Sequence, residues 1–253
     1  MLRFDDVSLS LDGRPIVAEV DLAVAPRQLA VLVGPSGAGK TTLLRLAAGL
    51  VEPTAGRVEN RARHTAVVFQ EPRLLPWESA LDNAGLPLAA IGIGRREARP
   101  EAERWLLRLG LRRDDLDKRP AALSAGMRTR VALARAFVAA ADLVLLDEPF
   151  ASLDLGLRRD LQTLLRDLVV ETGVAALFVT HDPTEAVRLA DRLMVLAGRP
   201  GRLVADLPFV PTTDPALAWT AAAELARRPE FAPVMVGLGG TDRTPPLLEG
   251  DRP

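Results

Sequence analysis

The chain has 253 residues, 48% of them hydrophobic and 26% charged, with a formal net charge of −1. That is enough apolar material for one large α/β domain, and the near-neutral balance gives no basic footprint for nucleic acid. The lack of cysteine excludes disulfides and thiolate metal sites, and no apolar run reaches the ~18 residues that would suggest a membrane span.

The start, Met1-Leu2-Arg3-Phe4-Asp5-Asp6, has no basic segment followed by an apolar one, so no signal peptide is expected and the chain should stay in the cytosol. Alternating Leu9/Leu11 and Val20/Leu22/Val24 within residues 1–25 read as strands of an accessory antiparallel layer. Leu29-Ala30-Val31-Leu32-Val33 then reads as a buried parallel strand. It runs into Gly34-Pro35-Ser36-Gly37-Ala38-Gly39-Lys40-Thr41-Thr42, which fits G-x-x-x-x-G-K-[ST] and opens an amphipathic helix through Leu43, Leu44, Leu46, Ala47 and Leu50. Glycines let backbone N–H groups turn inward around phosphate oxygens, and a helix N-terminus adds partial positive charge. Lys40 is placed to reach the β- and γ-phosphates, and the Thr41 hydroxyl to bind Mg²⁺. Only Lys40 and Lys118 are lysines among the 32 basic residues, so a lysine kept here points to a need for its compact charge.

Gln70 follows the strand Val67-Val68-Phe69; alone it is a polar residue at a strand end. Residues 71–122 turn rich in Arg, Leu, Glu and Pro, with helical spacing at Trp105, Leu106 and Leu109, and read as a helical insertion. Ser124 is a good N-cap for the helix that follows, and Ala125-Gly126 leave its backbone open to a phosphate; in isolation the segment better suits a capped amphipathic helix without ligand. Leu143-Val144-Leu145-Leu146 is a second buried strand, ending in Asp147-Glu148-Pro149. Beside a phosphate loop in the same sheet, Asp147 is placed to hold Mg²⁺ through water and Glu148 to polarise an attacking water as general base. A third strand, Ala175 to Val179, leads to Thr180-His181-Asp182, where His181 is one of two histidines. All three strands become polar at their carboxyl ends, the edge where open α/β sheets gather ligands. Beyond Gly198 the pattern weakens. Residues 216–228 suit an Ala-rich helix and 237–253 a flexible tail, while Trp105 and Trp219 read as packing residues.

Beyond a generic phosphate loop, Leu123-Ser124-Ala125-Gly126-Met127-Arg128-Thr129-Arg130-Val131-Ala132-Leu133-Ala134-Arg135-Ala136 resembles the signature segment of ABC-type ATPases. Gln70, the Asp147-Glu148 pair, Ser152-Leu153-Asp154 and His181 follow that family's order. The resemblance covers about residues 2–205 and implies a P-loop NTPase of α/β class: a mostly parallel core sheet, an antiparallel β layer and a helical subdomain inserted at about 71–140. Residues 206–253 would be a C-terminal extension. It implies ATP and Mg²⁺, with Gln70 on the metal and sensing the γ-phosphate, His181 on the γ-phosphate and Asp154 at a dimer interface. In a homodimer, residues 124–126 of one copy would face the triphosphate on the other's loop. Two positions depart from the family: Ala125 stands where glycine is usual, and Leu11 where an aromatic stacks on adenine. Leucine covers a purine face without π-stacking, so the triphosphate is better specified than the base.

Phe69-Gln70-Glu71-Pro72-Arg73-Leu74-Leu75-Pro76-Trp77 resembles importers of the nitrate/sulfonate/taurine type, as does the stretch from Ala190 to Arg202. This implies a chain peripheral to the cytoplasmic side of the inner membrane, coupled to integral membrane permease subunits and, indirectly, to an extracytoplasmic solute-binding protein. Leu74, Leu75 and Trp77 would form the permease socket or, alternatively, pack the insertion. A soluble ABC ATPase outside transport, a P-loop small-molecule kinase and an ATP-binding regulator are the rivals. The first lacks its usual coiled coil or second motor domain, and the second leaves Ser124, Asp154 and His181 unexplained. Glu148 and His181 argue against the third.

Overall fold

A computed structural model describes residues 1–232 and 234; the expected tail at 237–253 lies outside the described residues. The core is a six-stranded sheet in the order β5 (Thr65–Val68), β6 (Leu143–Asp147), β7 (Ala175–Thr180), β3 (Leu29–Val33), β8 (Arg192–Ala197) and β9 (Arg202–Pro208). All pairings are parallel except that of β8 with β9. Its central strands are unbroken apolar runs because both faces are covered. Leu29, Val31 and Val33 pack with the helices of one face, while Ala30 and Leu32 face the opposite layer.

That opposite layer is a three-stranded antiparallel sheet, β2 (Arg14–Val24), β1 (Leu2–Leu11) and β4 (Ala55–Asn60), together with α1 (Lys40–Ala47). The other face carries α5 (Leu155–Thr172), α6 (Pro183–Leu189) and a helical arm of α2 (Ala80–Ala90), α3 (Arg95–Arg108) and α4 (Ala125–Phe137). Within the arm Trp105 is buried, stacks on Phe137 with centroids 5.7 Å apart, and donates its indole N–H to Glu101 at 2.9 Å.

After β9 the chain returns across α6, where Arg188 donates to the Thr213 carbonyl at 3.1 Å. Helix α7 (Pro215–Ala226) starts at the Asp214 cap and buries Ala218, Ala222 and Leu225, one stripe at helical spacing. Trp219 lies off that stripe and is 72% exposed, so it does not pack as its size suggests. Phe231 and Val234 are fully buried in the main core.

Candidate active site

The carboxyl ends of β3, β6 and β7 lie side by side, so their loops share one rim. From β3 the backbone turns through Gly37 at φ 81° and Gly39 at φ 99°, left-handed conformations that only glycine adopts readily. Gly34 is held there by packing, since a Cβ on it would lie 2.3 Å from the Leu196 carbonyl oxygen. The α1 helix that follows has Gly39 as N-cap, with no side-chain cap and no acid in its first turn. Its first N–H groups are therefore available to an anion. In contrast, Ser124 caps α4, Asp154 caps α5 and Asp182 caps α6.

Lys40 is 5% exposed, and its ammonium donates to the carbonyls of Gly34 at 2.8 Å and Pro35 at 3.0 Å. Burial pulls its pKa down, against the pull of Glu148 and Asp147. The Thr41 hydroxyl donates to Asp147 at 3.0 Å. Asp147 ends β6 and is pushed up in pKa by burial, more than the Thr41 bond lowers it. Next to it, Glu148 takes φ 44°, a left-handed strain of about 1 kcal/mol for a non-glycine residue. Its N–H donates to the Val179 carbonyl at 3.0 Å. One carboxylate oxygen lies 2.9 Å from His181 Nδ1 and the other 3.8 Å from Lys40 Nζ. Pairing of β6 with β7 creates this contact between residues 33 positions apart in sequence.

Thr41, Gln70 and Asp147 line one open cavity of about 870 Å³, together with Arg45, Leu74 and Arg128. A hydroxyl and a carboxylate 3.0 Å apart form an oxygen donor set of the kind Mg²⁺ takes when phosphates and water complete its shell. No cluster of three or more His, Asp or Glu that would form an all-protein cage occurs among the described residues. Leu74 packs partly on the core, whereas Trp77 is 63% exposed.

The structure does not bring every expected residue to this rim. Ser124 accepts the Met127 N–H at 3.2 Å, and Gly126 abuts Leu157. Among the described residues no hydrogen bond or ion pair joins 124–126 to 34–42. Leu11 sits 44% exposed at the end of β1. It is Ile16 and Val17 that approach the loop, against Gly39.

One group escaped the sequence reading, and a second was noted there only for its resemblance. Behind His181, Thr180 and Gln162 donate to the buried Glu185 carboxylate at 2.6 and 3.1 Å, and burial drives its pKa up. Asp182 with Glu185 three positions on has the form of a capping box, but the Glu185 carboxylate turns inward. The turn 198–201 after β8 also presses on the phosphate loop: a Cβ on Gly201 would lie 1.9 Å from the Ala38 carbonyl oxygen.

Comparison with known proteins identifies the family. A family model described as ABC transporter matches residues 17–151. Taurine import ATP-binding protein TauB of Sinorhizobium fredii is 39% identical, with 94% of each chain covered. Aliphatic sulfonates import ATP-binding protein SsuB 2 of Burkholderia lata is 46% identical over 75% of this chain and 70% of its own. A dimeric post-hydrolysis ATP-binding cassette bound to ADP and Pi superposes with a TM-score of 0.75 at 26% identity, covering 84% of this chain and all of that one. The chain belongs to the ABC transporter family, as an ATP-binding and ATP-hydrolysing cassette.

Proposed function

We propose that this cassette powers an importer of small sulfonates of the taurine type, working as a homodimer on the cytoplasmic face of a separate membrane permease. Supporting the reading are the names of its relatives and the absence, among the described residues, of a helix long and apolar enough to cross a membrane. The ATPase domain spans residues 1–205 and the extension 206–253. The surface at Leu74, Leu75 and Trp77 is the socket for a cytoplasmic helix of the permease. Solute reaches the permease on a binding protein outside the cell, which this chain does not touch.

The observation that carries the chemistry is Glu148, fixed in a strained backbone and tied to His181 at 2.9 Å beside Lys40. Residues 34–42 cradle the triphosphate, and Lys40 leaves its carbonyl partners for the β- and γ-phosphate oxygens. Thr41, Asp147 and Gln70 hold Mg²⁺, which when bound neutralises charge on those oxygens. Glu148 accepts a proton from the water that attacks the γ-phosphorus. As the bond from that phosphorus to the β–γ bridging oxygen breaks, ADP takes the electron pair, and His181 steadies the γ-phosphoryl oxygens. Ser124, Ala125 and Gly126 of the partner copy close over the γ-phosphate. One bridging anion becomes two separable products, and the closed dimer loses its tie.

Glu148→Gln should keep ATP affinity within about threefold while phosphate release falls at least ~100-fold, the scale of general-base loss. Near-normal hydrolysis by that variant would reject Glu148 as the base.

A further inference from the structure

We infer that Arg199, in the turn between β8 and β9, is a second cation of the polyphosphate site, acting in addition to Lys40. The inference rests on reading residues 34–42 as the triphosphate cradle. Its guanidinium reaches the loop itself: Nη2 lies 3.1 Å from where a Cβ on Gly37 would stand, so glycine leaves the hollow that the guanidinium enters.

The turn that carries it is braced against the cradle. The Gly201 N–H donates to the Ile16 carbonyl at 2.9 Å, and the Ala18 N–H donates to the Gly201 carbonyl at 3.0 Å. Gly201 packs directly on the Ala38 carbonyl, and Leu196 at the end of β8 packs on Gly34. The base of Arg199 is therefore fixed relative to the loop.

Charge supplies the second argument. Lys40 is compensated by Glu148 and Asp147. Arg199 is exposed, and among the described residues it has neither an ion pair nor a hydrogen-bonded acceptor. A guanidinium beside inward-turned N–H groups, with no carboxylate facing it, adds to an anion-binding potential. A fork of N–H donors also suits phosphate oxygens.

The test uses the full chain and equilibrium competition against a fluorescent ATP analogue, with MgATP and inorganic tripolyphosphate as competitors. Arg199→Ala should weaken both about 10-fold or more, a charge-assisted hydrogen bond's worth, without lowering the melting temperature. Arg199→Lys, which keeps the charge but loses the fork, should fall between Arg199→Ala and wild type. Unchanged MgATP affinity in Arg199→Ala would overturn the inference. Loss of MgATP affinity with tripolyphosphate unaffected would move the guanidinium to the base or ribose and overturn the phosphate assignment, as would failure of tripolyphosphate to compete in the wild type. Lys40→Ala, run alongside, keeps the two readings apart: unchanged affinity there sinks the cradle, while unchanged affinity in Arg199→Ala alone sinks only the second cation.

Discussion

Helices α1 and α4 both open on small residues, yet they meet their surroundings differently. The start of α1 is uncapped, and its lysine is buried beside two carboxylates that reach it from another strand. The start of α4 is capped by Ser124, which is exposed, and residues 124–126 join nothing at the phosphate loop. One helix end is finished within the chain, and the other waits for a ligand that the chain does not itself supply. On the proposed function, α1 holds the nucleotide and a second copy brings α4 to it.

Breaking the α4 end without touching the α1 end gives the largest expected effect. Aspartate caps a helix as well as serine and suits the helix dipole, so Ser124→Asp should fold normally. Its carboxylate would occupy the place meant for the γ-phosphate, and ATP hydrolysis should fall at least ~100-fold while binding to the single chain is retained. Loss of binding to the single chain would show that the two ends are not separate. The complementary change, Lys40→Ala, should weaken ATP binding about 10- to 100-fold, the range for charge-assisted bonds to phosphate. Isothermal titration reads this directly, and equal affinity in the variant and wild type would contradict the assignment.

A smaller effect sharpens the comparison from the stability side. Burial raises the Asp147 pKa, so the folded chain binds that proton more tightly than the unfolded chain. Asp147 therefore favours folding when protonated, and that contribution is lost as pH rises from the ordinary 3.8 through the raised folded value. At pH 7 the ionised carboxylate costs stability, and Asp147→Asn should melt about 2–4 °C higher for each kcal/mol recovered, with the gap narrowing toward acid. An unchanged or lower melting temperature at pH 7 would contradict the burial argument.

The phosphate loop, the Asp147-Glu148 pair and His181 were legible in the sequence because each sits where an apolar strand stops, and strand-to-loop transitions are local signals. The sheet order was not local. Nothing near Glu148 in sequence says that His181 lies 2.9 Å away; that follows from β6 pairing with β7. Arg199 is harder still, because its approach to Gly37 depends on β8 lying beside β3 and on Gly201 lying beside Val17. The third antiparallel strand, Ala55–Asn60, is mostly exposed, so it carries little of the apolar alternation that marks β1 and β2. Trp219 misleads in the opposite sense: an aromatic invites burial, but α7 turns its alanine stripe inward.

The most direct measurement of the central claim is the mass in solution of Glu148→Gln, with and without MgATP. Without nucleotide it should weigh one chain, 27.2 kDa. With MgATP it should weigh two, and adding Ser124→Asp to the same chain should return it to one. A Glu148→Gln chain that binds MgATP and still weighs a single copy, both alone and on its permease, would contradict the account.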